Sequence, residues 1–282
     1  MSRVIIASDS TCDLSPELVA RYGIQILPLG VTLGEKQFTD GVDITPEDVY
    51  AHYTATGELP KTSAVNIAAF DDYFREHTAD GSAIVLFTIS SFMSSTCNNA
   101  RIAAEEYDNV YVIDSQNLST GIGLMVIAAA EMAREGKSAK EIADACTLLT
   151  SRIDSSFVVD DLEFLHKGGR CSAVAALGAN LLHLKPCITV KDGKMGMEKK
   201  YRGKFPAVLE KYIAERIGDG SGIDLTRVFV THAGCDEALI ARCAALVKSA
   251  ADFKEVHVTL TGCTVASHCG RNTLGILFLR KE

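Results

Sequence analysis

The side chains best suited to chemistry in this chain of 282 residues sit in a few short stretches. Ser90-Ser91-Phe92-Met93-Ser94-Ser95-Thr96 follows an apolar run from Ser82 to Ile89 and precedes a helical stretch reaching to about Tyr107. A hydroxyl-rich turn between a strand and a helix is a ready anion site, because free N–H groups and the helix dipole both favour negative charge. Lys167-Gly168-Gly169-Arg170 sets two cations around adjacent glycines, which allow unusual backbone angles and close approach. It lies between a buried strand, Phe157 to Val159, with one short turn, Leu162 to Leu165, and an apolar helix, Ser172 to Leu182, stopped by Lys185-Pro186. That order suits the floor of an apolar pocket with a basic lip; on spacing alone the favoured reading is a domain junction with a solvated arginine. Pro60-Lys61-Thr62-Ser63-Ala64 precedes a helix from about Ile67 to His77, and its hydroxyl pair reads as a cap. Ser94, His268 and Asp9 or Asp114 could make a hydrolase triad, but no G-x-S-x-G elbow supports one. His232-x-x-Cys235 and Cys263 with His268-Cys269 lack the paired close spacings of structural zinc sites.

The elements that must position these groups follow from pattern. Arg3 to Ala7 reads as a first parallel strand opening into Ser8-Asp9-Ser10-Thr11, where Asp9 is best read as a loop-closing hydrogen-bond partner. Ser15-Pro16-Glu17 and Thr45-Pro46-Glu47 start helices; Val31 to Phe38 reads as a hairpin around Gly34-Glu35. Ile24 to Leu29 and Val110 to Ile113 read as further strands. Gly121-Ile122-Gly123 opens a helix to Arg134 but lacks the third glycine of a dinucleotide fingerprint, so its glycines are assigned to helix–sheet packing. Ser138 to Glu141 is a capping box before a helix to Ile153. Alternation of strand and helix argues for a parallel sheet flanked by helices over 1–155. Over 156–282 a hairpin at Asp192-Gly193, a helix from Phe205 to Ile217, a strand from Val228 to Thr231, a helix from Asp236 to Lys248 and strands at Val256 to Leu260 and Leu274 to Leu279 argue for a mixed α/β domain. The expected fold is therefore α/β with two domains, a Rossmann-like parallel sheet and a mixed one.

Composition excludes several classes. The net charge is −8, with no long basic block, so no nucleic-acid footprint is visible. The apolar N-terminal run is too short for a signal peptide, and nine irregularly spaced cysteines read as thiols of a reducing cytoplasm. No Walker A loop or protein-kinase signature is present.

D-x-L-x-x-L-x-K-G-G-R, an apolar helix and L-L-x-x-K-P (Asp160 to Pro186) resemble the central signature of the DegV family. DSTCDLSPELVARYGIQILPL and DGVDITPEDVY resemble its N-terminus, and the likeness extends over essentially the whole chain. The resemblance implies a cytoplasmic carrier with a long-chain fatty acid bound between the two domains, no cofactor and no chemistry of its own. Its partner would be a separate fatty acid kinase that makes an acyl-phosphate, and a transient membrane contact is compatible with it. Thr62 and Ser63, Ser94 and His268 match carboxylate-side positions of the family; Arg170 and Arg202 match cations at the exposed rim. The chain departs from the family pattern at Ser95 for glycine, Cys97 for tyrosine, and Cys269, Arg271 and Asn272 for threonine, proline and glycine.

Overall fold

The computed structural model describes residues 3–175 and 184–281. The chain begins with β1 (Val4–Asp9) and α1 (Pro16–Tyr22), where Ser15 caps the Leu18 N–H and Gly23 ends the helix at φ 68°. β2 (Gln25–Leu27) follows, then the hairpin β3 (Gly30–Leu33) and β4 (Lys36–Thr39). α2 (Pro46–Thr56) opens on a Thr45–Asp48 capping box. Next come β5 (Lys61–Ser63), α3 (Ile67–Thr78), β6 (Ala83–Thr88), α4 (Thr96–Ala104), β7 (Val110–Asp114), α5 (Thr120–Arg134) and α6 (Ala139–Leu149). The rest is β8 (Ile153–Val159), α7 (Glu163–Gly168), α8 (Ser172–Ala175), β9 (Leu184–Lys191), β10 (Lys194–Arg202) and α9 (Phe205–Ile217). It closes with β11 (Ile223–Ala233), α10 (Glu237–Ala250), β12 (Glu255–Leu260), α11 (Cys263–Cys269) and β13 (Thr273–Arg280).

The strands form a parallel sheet in the order β2-β1-β6-β7, a mixed sheet β10-β9-β8-β13-β11-β12 and a small antiparallel sheet β4-β3-β5. β6 is buried on both faces, as a parallel strand covered by helices must be. Alternation divides its contacts. Ile84 and Leu86 face Phe70 and Phe74 of α3, while Val85 and Phe87 face α5 and α6. α5 is apolar all round from Ile122 to Ala130, and a helix of that composition belongs inside. It packs between the two larger sheets, and the same core cluster continues to Phe157, Ile188, Phe229 and Leu277 of the mixed sheet. Gly121 and Gly123 permit this: a Cβ on the first would run into Asn117 and Ser155, and on the second into Leu14 and the Cys12 carbonyl. The other face of the mixed sheet is covered by α9 and α10. Buried Arg227 on β11 joins the halves, bonding to Glu131 of α5 at 2.8 Å, Glu255 of β12 at 2.7 Å and the Tyr22 hydroxyl at 3.2 Å.

The α/β architecture, with a helix-flanked parallel sheet and a mixed sheet, matches the reading of the sequence, while the small third sheet and several local elements differ. Thr62 and Ser63 do not cap α3. They lie on β5, and Asn66 is the cap, accepting from the Ala69 N–H at 2.8 Å. The helix after Ser138 ends at Leu149, so that Ile153 starts β8 instead of closing a helix. Pro186 lies within β9, not before it; the β8 ladder begins only at Cys187, so the missing N–H is not called on there. The expected Ser172 to Leu182 helix is described only as far as α8, and its remainder lies outside the described residues. All nine cysteines are buried thiols.

Candidate functional site

Three short segments converge where the parallel sheet, the small sheet and the mixed sheet meet. The first is β5, whose Thr62 and Ser63 pair with Val31 and Gly30 of β3. Gly30 leaves room for the Ser63 hydroxyl, which a side chain there would displace. The second is the turn from Ser90 to Ser95. Ser90 accepts the Met93 and Ser94 N–H groups through its carbonyl, and its hydroxyl donates to the Gly193 carbonyl at 2.7 Å, fastening the turn to the β9–β10 hairpin. Ser94 Oγ accepts the Thr96 N–H at 3.2 Å and lies 2.9 Å from the Thr96 hydroxyl. The third is α11, which was not foreseen in the sequence. Its last turn carries His268, with Nε2 placed 2.8 Å from the Thr62 hydroxyl.

Between these segments lies a cleft of about 380 Å³, lined by Thr62, Ser63, Ser94, Arg170 and His268. Ile89, Met93, Leu118, Met195, Val265 and Cys269 supply its apolar wall. Leu118, Val265 and Cys269 also line a narrow slot that reaches Phe157, Val190 and Leu277 in the inter-sheet core. Five of the six candidate side chains therefore share one cleft. Arg202 is not among its lining residues. It is the exposed last residue of β10, paired in the ladder with Leu184.

The glycine pair has a clear task. Gly168 packs against the His268 ring, where a Cβ would come 2.8 Å from Nδ1, and Gly169 takes φ 69° to end α7. Arg170 then turns back and donates to the Gly168 carbonyl at 2.7 Å, leaving its exposed guanidinium at the cleft edge. Burial, with the positive charge of Arg170 behind it, lowers the His268 imidazole to about 4. The ring is thus neutral at neutral pH and presents no cation to a ligand. Its Nδ1 is buried and has no hydrogen-bond partner among the described residues. A neutral imidazole, hydroxyls and the free N–H groups at a helix start can hold a carboxylate by hydrogen bonding without converting it chemically.

A hydrolase triad does not assemble. His268 bonds Thr62, not Ser94; Asp9 accepts from Thr11 and from the Ile89 N–H; Asp114 accepts from the Ser91 and Gln116 N–H groups. Asp9 is a loop-closing partner, as read from the sequence. Burial raises its carboxyl to about 6 despite those hydrogen bonds. Asp13 is raised well above the usual carboxylate range, again by burial.

The departures from the family pattern are accommodated locally. Ser95 sits at φ −75°, where glycine is not needed, and Cys97 is fully buried behind the turn. Asn272 adopts φ 58°, a conformation asparagine tolerates better than most residues. Arg271 turns toward α2, pairing with Glu47 at 2.6 Å and lying over the Tyr50 ring, so its charge is committed to α2. Cys269 lines both cleft and slot, with burial raising its thiol to about 12.

Residues 3–281 match the family model described as "Uncharacterised protein, DegV family". The chain belongs to the DegV family. A DegV domain-containing protein of Clostridium acetobutylicum is 32% identical, with 100% of both chains covered. Among solved structures, a DegV family protein from Thermus thermophilus reported for fatty acid binding superposes with a TM-score of 0.89 at 30% identity, covering 99% of this chain and 100% of the other. A stearic acid-binding protein from Eubacterium ventriosum gives 0.84 at 30% identity, covering 100% and 99%. DegV of Bacillus subtilis, a fatty acid binding protein, gives 0.86 at 25% identity, with 100% of both chains covered. Among the described residues no helix of this DegV chain is long and apolar enough to cross a membrane.

Proposed function

We propose that this DegV protein is a carrier of a long-chain fatty acid that presents the carboxylate to a separate fatty acid kinase. The observation that carries the reading is the adjacency of two unlike spaces: a cleft with hydroxyls and a neutral histidine, and an apolar slot that shares Leu118, Val265 and Cys269 with it as walls. The acid would lie against Thr62, Ser63, Ser94 and His268, and the chain would pass between the sheets. Burying ~15 methylenes at ~0.8 kcal/mol each gives a gross of roughly 12 kcal/mol, from which ordering costs are subtracted. The fatty-acid binding of the Thermus, Eubacterium and Bacillus proteins supports the ligand class. Arg170 at the cleft edge and Arg202 on β10 would face the kinase, since a guanidinium fork matches carboxylate and phosphoryl oxygens. The two domains would be 1–155 and 156–282, a boundary that falls within β8 (Ile153–Val159), with the ligand at their contact. Organic extraction of protein purified from cells, followed by mass spectrometry, tests the reading. A stoichiometric long-chain acid is expected. Protein that carries no acyl chain and takes none up overturns it.

A further inference from the structure

Helix α11 brings His268 to the cleft but has no cap of its own. Its N-cap is Gly262, and no side chain within the helix meets the first N–H groups. Two carboxylates from remote loops do so instead. Asp13 Oδ1 accepts from the Gly262 N–H at 2.7 Å; Asp40 Oδ1 accepts from the Cys263 N–H at 2.7 Å and Asp40 Oδ2 from the Thr264 N–H at 3.1 Å. Both acids are buried, 5% and 2% exposed, and neither is ion-paired to a lysine or arginine among the described residues. Burying a carboxylate without a cation is costly unless several donors hold it, so these contacts define where the helix can sit.

Asp40 also belongs to the small sheet. It follows β4, its backbone N–H bonds to the Leu29 carbonyl, and its Oδ2 accepts from Ser10, whose hydroxyl in turn accepts the Leu29 N–H at 3.1 Å. That sheet carries β5 and Thr62. One carboxylate therefore grips the helix bearing His268 and is anchored to the sheet bearing its partner Thr62. Gly262 lies between the two acids, and a Cβ there would stand 3.2 Å from Asp40 and 3.3 Å from Asp13.

We infer that Asp40, assisted by Asp13, is a positioning residue for the head-group end of the cleft, holding His268 and Thr62 at their 2.8 Å spacing from behind. Neither acid lines the cleft; their oxygens are taken up by backbone N–H groups and by the Ser10 and Ser119 hydroxyls. This rests on the fatty-acid reading above. Asp40→Asn keeps the shape but turns an amino group toward groups that already donate. It is expected to weaken palmitate binding about tenfold, the scale of one charge-assisted hydrogen bond. Binding of 1-hexadecanol, which lacks the carboxylate, should change by less than about twofold.

The deciding measurement is a cycle of palmitate and hexadecanol affinities for the wild type, D40N, H268A and D40N/H268A, with thermal unfolding recorded for each. Selective loss for the acid, vanishing in the H268A background, supports positioning. Equal loss for acid and alcohol, or full additivity with H268A, overturns it in favour of a merely structural role. Should D40N not fold, Ser10→Ala removes one donor to Asp40 and is read in the same ratio, with a smaller selective loss expected and a ratio of unity counting against the inference. A wild type that binds neither probe refutes the carrier reading itself, which keeps the two failures distinct.

Discussion

The two ends of the ligand space are built by different means. The inner slot is walled by the cores of long elements, with Phe157 on β8, Val190 on β9 and Leu277 on β13 fixed by the regular ladder of the mixed sheet. The outer end is assembled from a three-residue strand, a turn and a seven-residue helix. Short elements do not hold themselves, and here buried acids and a fastened turn hold them. Apolar contact is non-directional and tolerates change provided volume is kept. A hydrogen-bonded head-group site tolerates little displacement. Substitutions at the two ends should therefore fail in different ways.

The sharpest break is Val265→Phe, where cleft passes into slot. Closing the passage to roughly six methylenes at ~0.8 kcal/mol each forfeits several kcal/mol, so palmitate should weaken more than about a hundredfold while octanoate changes little. Calorimetry with both acids checks this, and equal loss for both would place the chain elsewhere. At the outer end, Ser94→Ala or His268→Ala should each cost about ten- to a hundredfold in fatty-acid affinity irrespective of chain length. A dependence on chain length would mean that these residues shape the passage and do not hold the acid.

Protonation should separate two groups of opposite sign. The folded imidazole of His268, lowered from 6.5 to about 4, binds fewer protons than the unfolded one between those values. Its contribution is complete above pH 6.5 and is lost as pH falls toward 4. Asp9, raised from 3.8 to about 6, binds more protons folded than unfolded. Its contribution is complete below pH 3.8 and is lost as pH rises through 6. Urea titrations from pH 4 to 7 should therefore show Asp9→Asn gaining on the wild type as pH rises, and His268→Asn gaining as pH falls. Each change is on the order of 2 kcal/mol, and parallel curves would remove both assignments.

The smallest effect on binding belongs to the rim. Arg170→Ala and Arg202→Ala should leave fold and fatty-acid affinity within about twofold, because exposed cations gain little from their own chain. If the proposed hand-over to a fatty acid kinase holds, acyl-phosphate formation should drop much further. Lost affinity with normal coupling per bound lipid would place the arginines inside the pocket, and no effect of either kind would make them ordinary surface residues.

Strands and helices with strong periodicity were legible in the residues: β6, α5, the β9–β10 hairpin and α9 fall where pattern and caps put them. The Lys167–Arg170 turn was legible as a close approach, and Gly168 against His268 is that approach. α11 was not legible, because a seven-residue helix with a glycine N-cap lacks the usual start signal; its cap is supplied from residues more than 200 positions away. β5 was hidden for a similar reason. Three residues beside a proline carry no alternation, and Thr62-Ser63 imitates a helix cap that Asn66 actually provides. Convergence of Thr62, Ser94 and His268 could be expected only from likeness to a family, since no local pattern encodes a contact between β5 and α11.

Arg227 bears on how the molecule comes apart. It is tied at once to α1, α5 and β12, at the border of a core that runs without interruption from the parallel sheet to the mixed one. That apolar core is shared by both sheets, so neither half can leave without exposing apolar surface and giving up the contacts of Arg227. Denaturation should thus follow a single cooperative transition for both halves, with coincident midpoints from probes placed in either sheet. On the proposed carrier function, a lipid would then enter and leave by side-chain rearrangement around Leu118, Val265 and Cys269, while the two sheets stay together.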